Sequence, residues 1–234
     1  MNRIALYRNN SIFDTNLVMP KHGHLYHLRG EGRAGASMRQ YADAWTAMAL
    51  IRGKNVHWID GACRFNPTKI LQCVPSSFPE PEQLLHQIFV SRGFTVHQLA
   101  SMIQRLSHEL HITKAGFVVI DGPISMHLDE QINDYEARTL WRRGLETLLK
   151  IAQNHQIPVV MITNKNPISK RHQQLLIMAK NRVSESLSGK WILDGKTRRM
   201  WLLHLPSRRV GFQIPHHLSL SNFDDSQPSL DGAE

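Results

Sequence analysis

The sequence predicts an α/β domain: a mainly parallel central sheet covered by helices, with an antiparallel extension at the C-terminal end. Three observations carry this. Short apolar runs alternate with amphipathic stretches over the first two thirds of the chain. Two of the runs, Phe117-Val118-Val119-Ile120-Asp121 and Val159 to Thr163, are nearly continuous in apolar residues, as strands covered on both faces are. After Asn164 the pattern changes to short strands separated by turns.

Taken in order, Leu25 to Leu28 reads as a first strand, ended by the glycine-rich turn Gly30-Glu31-Gly32-Arg33-Ala34-Gly35. Ala36 to Arg52 follows as a helix, with Met38, Ala42, Trp45, Ala49 and Leu50 at helical spacing. Val56 to Asp60 is a second strand, Pro67 to Cys73 a short helix, Gln87 to Ser91 a third strand and Val96 to Leu110 a helix. Phe117 to Asp121 is a strand ending in an aspartate, Tyr135 to His155 a long amphipathic helix, and Val159 to Thr163 a further buried strand. The polar, basic stretch from Asn164 to Ser188 has no clean period and is expected to be a mobile loop carrying a short helix. Lys190 to Leu193, Met200 to Leu205 and Val210 to Ile214 then read as strands joined by turns at Asp194-Gly195 and Pro206-Ser207. The polar tail from Ser219 carries acids and no base, so the expected organisation is one domain over residues 1–218 and a disordered acidic tail over 219–234.

Composition narrows the function. No apolar run approaches the roughly 20 residues of a membrane span, and Met1 to Asn10 has no apolar core of a secretory signal. Two cysteines, Cys63 and Cys73, are too few for a disulfide framework or a cysteine-based zinc site, so a reducing cytoplasm is the expected setting, at the nucleoid or in a nucleus if the protein is bound to DNA. The formal charge of +9 is concentrated. Between Asn164 and Gly211 lie 11 of the 28 basic residues but two of the 19 acids, which leaves 17 of each elsewhere. Clustering of this kind suits a polyanion, nucleic acid above all, although a solvated basic surface is the plainer alternative.

The strand, glycine turn and helix give the context a phosphate loop needs. Gly30 and Gly35 occupy the two glycine positions of Gly-x4-Gly-Lys-Ser/Thr and Ser37 the hydroxyl position, but Ala36 stands where the lysine belongs. Asp121, closing its apolar strand, sits where a Walker-B aspartate would help hold Mg²⁺, or is an ordinary strand-ending turn.

Together these segments resemble the RecA/RadA-type recombinases, particularly the RadA-like branch. Gly23 to Ser37 is similar to that branch's first strand and phosphate loop, including the Gly30-Glu31 start. Val56 to Pro67, with Phe65 and Pro67, resembles its next strand, typically Ile-Asp-Thr-Glu-Gly-x-Phe-x-Pro. Phe94 to Leu99, Phe117 to Asp121, Pro158 to Asn164 and Arg198-Arg199 continue the likeness over roughly residues 11–216. The resemblance implies a RecA-like P-loop NTPase fold. It also shows departures. The glutamate that orients the attacking water falls on Ala62, the phosphate-binding lysine on Ala36, and the glutamine that senses the γ-phosphate on Lys165. Loss of a charge clamp and a positioned base together implies a pseudo-ATPase, with no catalytic residue and no cofactor expected; residual binding of ATP and Mg²⁺ at the vestigial Gly30, Gly35, Ser37 and Asp121 is the lesser expectation.

In the family the segment after the Asn164 strand binds DNA; here it carries Lys165, Lys170, Arg171, Lys180 and Arg182, and an earlier loop would end near Arg138, Arg142 and Arg143. The resemblance therefore implies a non-catalytic recombinase paralogue, an accessory factor of recombination or repair. Its expected partners are DNA, chiefly single-stranded and bound without sequence preference, and a recombinase or another RecA-fold subunit. The family's N-terminal helical DNA-binding domain is expected to be absent, since about ten residues precede the matching region. The alternative is a protein-interaction module without DNA binding, as among bacterial cell-division inhibitors of RecA-like fold.

Other constellations are weaker. His22, His24 and His27 crowd one strand edge, but no carboxylate or thiolate nearby in sequence completes a metal site, and no metal is expected. Asp60 and Asp121 could form an acidic pair near the loop. Trp45, Trp141 and Tyr135 read as packing residues, whereas Trp191 and Trp201, lying between basic residues, stay open as base-stacking platforms.

Overall fold

The computed structural model describes residues 20–212; the expected tail, and the end of the last expected strand beyond Phe212, lie outside the described residues. The strands are β1 (Leu25–Gly30), β2 (Asn55–Asp60), β3 (Ile88–Arg92), β4 (Ala115–Asp121), β5 (Val159–Asn164), β6 (Glu185–Asp194), β7 (Thr197–Leu205) and β8 (Val210–Phe212). They form one sheet in the order β3-β2-β4-β5-β1-β6-β7-β8. Every pairing from β3 to β6 is parallel. β7 and β8 add on antiparallel.

Helix α1 (Arg39–Ile51) covers one face, where Tyr41, Trp45 and Leu50 meet Tyr26, Leu28, Trp58 and Val119. The opposite face is covered by α3 (Val96–Thr113), α4 (Asp134–His155) and α5 (Lys170–Lys180), through Leu99, Ile103, Trp141, Leu148 and Leu175 against Val118, Ile120 and Met161. A short helix α2 (Pro67–Leu71) packs near α1. Alternation along β4 explains the division: Val119 faces one core, Val118 and Ile120 the other.

The helix boundaries follow side-chain chemistry. Thr95 accepts from the Gln98 N–H at the start of α3, and Asn133 from the Glu136 N–H at the start of α4, whose first turn holds Asp134 and Glu136. Left-handed Lys114 and Gln156 end the same two helices. The expected Ala36 to Arg52 helix is divided: a 3-10 segment spans Arg33–Met38 and the α-helix begins at Arg39.

The stretch after Asn164 differs from expectation. It is no long loop. Five residues, 165–169, lead to α5, capped by Ser169 accepting from the His172 N–H. Leu175, Leu176 and Ala179 are buried, and the Trp141 indole donates to the Leu175 carbonyl at 3.0 Å. β6 then begins at Glu185 instead of Lys190 and pairs parallel with β1, so the antiparallel extension starts one strand later. Its first residues escape a hydropathy reading because Glu185, Ser186 and Ser188 are buried polar groups; Glu185 is held by Lys21 at 2.7 Å and His204 at 3.2 Å.

The glycine turn is wedged against β5. Gly35 has φ +76°, and a Cβ there would lie 2.1 Å from the Thr163 carbonyl oxygen. Gly53 has φ +69° but open space around it. Gly53→Ala is therefore expected to cost about 1–2 kcal/mol, the left-handed penalty alone. Gly35→Ala should cost more than twice as much in denaturant unfolding, because the β1–β5 edge must also separate.

Candidate functional site

The carboxyl ends of parallel strands, where the strand order reverses around a central strand, are where α/β folds present their sites. Here β1, β2, β4 and β5 all end in that region. β1 ends at Gly30, and the loop closes on itself: the Glu31 N–H donates to Ser37 Oγ at 2.8 Å, the Ser37 N–H to the Glu31 carbonyl at 3.0 Å, and the Gly35 N–H to the Gly32 carbonyl at 3.1 Å. Three amides and a hydroxyl at phosphate-loop positions thus have partners within the loop. Beside it a cleft of about 710 Å³ is lined by Gly30 to Ala34, Ser125, Leu128 and the turn at Asn164, Asn166 and Ile168.

Asp121 ends β4 fully buried. The Arg64 guanidinium grips its carboxylate side-on, Nε donating to Oδ2 at 2.9 Å and Nη2 to Oδ1. The same guanidinium donates to the Arg33 carbonyl at 2.6 Å and the Ala34 carbonyl at 3.0 Å. Arg64 therefore ties the glycine loop to the Asp121 strand. Arg39, from the first turn of α1, adds a second cation 3.6 Å from Asp121 Oδ2, stacks 5.3 Å from the Trp58 ring centroid, and donates to the Arg64 carbonyl.

The expected Asp60–Asp121 pair is not a shared acidic site, because each carboxylate has its own arginine. Asp60 accepts from the Arg64 and Phe65 amides at 3.0 and 2.9 Å and from Arg92 Nε at 3.0 Å. These amide bonds shape the turn after β2 that delivers Arg64. Ala62 is buried in the same turn, and a Cβ on Gly122 would lie 2.7 Å from its Cβ and 2.9 Å from that of Ala34. The two alanines thus close over Gly122. Ala36 is exposed on the loop. Arg64, Arg39 and Asp43 were not singled out in the sequence; an aspartate closing a buried strand calls for a cation, but no spacing points to Arg64 as its source.

Asp43, one turn into α1, sits 3.6 Å from Arg39 Nε. Burial pushes its carboxyl up to about 7; Arg39 pulls it down and Asp121 pushes it further up.

The basic residues divide. α4 and α5 run side by side in the same direction, with Arg138 donating to Gln174 and Arg182 reaching Glu146 at 3.3 Å. The structure thus brings the two basic segments onto neighbouring helices. Arg142 and Arg143 lie well inside α4 rather than at a loop end, about 12 Å from its start for Arg142 at 1.5 Å per residue, and both are exposed. Lys170 and Lys180 are exposed at the two ends of α5. Among the described residues the side chains of these four make no hydrogen bond or ion pair. Arg171 does not share that freedom: its Nε binds Asp134 Oδ1 at 2.5 Å and its Nη1 the Asp129 carbonyl at 2.7 Å, pinning α5 to the start of α4. Lys165 is half-buried at the end of β5; burial lowers its pKa, as do Lys190 and Arg29, against Glu31.

The histidines do not converge. His22 bonds the Gln156 carbonyl, His24 faces Glu185, and buried His27 pairs with Thr163 Oγ1 at 2.7 Å. Among the described residues no group of three or more His, Cys, Asp or Glu side chains could hold a metal ion, and no helix is long and apolar enough to cross a membrane.

A family model described as Rad51 matches residues 30–204. The chain is also similar to a protein named DNA repair and recombination protein RadB from Thermococcus gammatolerans (strain DSM 15229 / JCM 11827 / EJ3), 28% identical over 144 residues. That match covers 57% of this chain and 61% of the relative.

Two outcomes follow from the charge network. Breaking a buried pair by removing one partner leaves the other charge uncompensated, so Arg64→Ala is expected to cost about 3–5 kcal/mol in chemical denaturation. Asp43 holds its proton in the folded protein up to about pH 7, whereas the unfolded chain releases it near pH 4. The folded state thus binds the extra proton across that window, and the contribution of Asp43 to stability falls as pH rises through it. Asp43→Asn should melt higher than wild type at pH 8 and lose most of that advantage by pH 5.

Proposed function

The chain belongs to the Rad51 family, and from that membership we propose that it serves DNA repair and recombination as a binding component that does not hydrolyse ATP. The RecA-like fold expected from the sequence is the one present, a helix-covered parallel sheet with antiparallel strands at its C-terminal edge.

The observation that carries the non-hydrolytic reading is Arg64. A nucleotide site needs Asp121 free for Mg²⁺ and a lysine free for phosphate. In this chain one guanidinium spans the Asp121 carboxylate and the glycine-loop carbonyls, and Ala36 and Ala62 offer neither clamp nor base. The residues present do not fit a magnesium nucleotide. An internal ion pair takes the structural part of the magnesium's role, holding loop and strand together.

Support for DNA as the partner comes from the relative's name and from charge. The α4–α5 surface presents Arg142, Arg143, Lys170 and Lys180 without carboxylate partners among the described residues. Contacts of this type go to phosphates and carry no sequence preference. A protein partner is the second reading, favoured by β3. It is one of the two edge strands of the described sheet, and Phe89, Val90 and Phe94 are 38%, 43% and 74% exposed on and beside it. An apolar sheet edge of that kind is a ready surface for another chain.

Isothermal titration with ATP and Mg²⁺ should give no heat of binding, and phosphate release should stay at the blank rate, for wild type and for Ala36→Lys alike. Turnover above blank by the wild-type protein would overturn the reading. Electrophoretic mobility of labelled single-stranded DNA should shift at low salt and recover steeply as salt rises, with a weaker shift for Arg142→Ala/Lys170→Ala/Lys180→Ala.

A further inference from the structure

β5, β1 and β6 are neighbouring parallel strands, and register places Arg29 of β1 beside Thr163 of β5 and Ser188 of β6. Side chains alternate along a strand, so residues two further on share the same face. On β5 that residue is Lys165, whose N–H continues the ladder by donating to the Gly30 carbonyl at 2.7 Å. On β6 it is Lys190. Three cations from three strands therefore meet at the carboxyl edge of the sheet, the outer two about 10 Å apart at the usual strand spacing.

Their counter-charge is thin. Among the described residues Glu31 is the carboxylate that acts on Lys165, and its Oε2 already accepts from the Trp191 N–H at 3.1 Å. Arg29 is half-buried, and among the described residues it has no ion pair or hydrogen bond from its guanidinium. Behind it lies His27, which burial and the Arg29 charge hold neutral, with a pKa lowered to about 3. Arg39, Arg64 and Arg171, comparably sheltered, each face a carboxylate. A guanidinium drawn out of water without a partner is costly, and such a group is retained where an anion arrives from outside. Trp201 stands directly across from Lys190 on the same sheet face and is half-exposed. An aromatic ring beside a row of cations is the pattern that holds single-stranded nucleic acid.

We infer that Arg29, Lys165 and Lys190 form a phosphate site at the carboxyl edge of β5, β1 and β6, taking a phosphodiester of single-stranded DNA with Trp201 as the neighbouring base platform. The site rests on the DNA-binding reading above, and it is separate from the α4–α5 surface. It also gives Lys165 a role of its own, as one of three phosphate ligands.

The test is fluorescence anisotropy of labelled oligo-dT against the full chain over a salt series. Lys165→Gln/Lys190→Gln should weaken binding roughly 10-fold at low salt and lower the slope of log K against log salt by about 1.4, two contacts at about 0.7 each. Lys150→Gln/Arg105→Gln removes the same charge elsewhere and should change neither slope nor affinity by more than about 2-fold. Arg29→Lys should retain binding and Arg29→Gln lose it, at equal far-UV circular dichroism. In parallel, inorganic pyrophosphate is titrated while the ¹H–¹⁵N resonances of residues 29, 165 and 190 are followed. Undiminished DNA binding by the Lys165/Lys190 variant overturns this site and leaves the DNA reading standing. Absence of DNA binding by wild type, with pyrophosphate moving the three resonances, overturns the DNA reading and assigns the site to free phosphates. Absence of both overturns the two together.

Discussion

A carboxylate sealed under a sheet needs a cation, and in this molecule the requirement at Asp121 is met from within the chain. The side-on Arg64 pair does more than neutralise a charge, because the same guanidinium holds the Arg33 and Ala34 carbonyls. The glycine loop, the turn after β2 and the end of β4 are thereby locked into one unit. Asp60 completes the arrangement by fixing the turn that carries Arg64, and Arg39 by backing it from α1. Without that cation the buried Asp121 carboxylate at the end of β4 would be left to Arg39 alone, and the loop would lose its tie to the sheet.

Much of the fold was legible because local chemistry and global burial agree. β4 and β5 are covered on both faces, so their apolar runs announce themselves, and Thr95 and Asn133 mark helix starts by their caps. The region after Asn164 was not legible for the opposite reason. α5 buries His172 beside Leu175 and Ala179, and β6 opens with a glutamate and two serines that are buried and polar. Hydropathy misses the start of a strand whose buried residues are polar, as at Glu185, whose carboxylate is met by Lys21 and His204.

The site was legible by position and not by partner. The spacing of Gly30, Gly35 and Ser37 gave the loop its shape, and Ala36 and Ala62 are the positions from which the proposed non-hydrolytic reading starts. What fills the gap, Arg64, lies two residues from Ala62 in a turn whose geometry depends on Asp60, and no pattern of spacing encodes that. The charge count likewise located a basic region without sorting it. Only three-dimensional neighbours separate Arg171, bound to Asp134, from Lys170 beside it, which has no partner among the described residues.

A cation that is part of the chain is never exchanged with solvent. Its effective concentration at Asp121 is set by the turn that carries it, and does not vary with metal supply, chelators or the ratio of nucleotide triphosphate to diphosphate. On the non-hydrolytic reading proposed above, the loop and strand ends of this protein are tied by a contact that needs no bound ion. On that same reading, the timing of attachment and release would be set outside the phosphate loop, through ionic strength, the amount of partner present, or competition for the same surface.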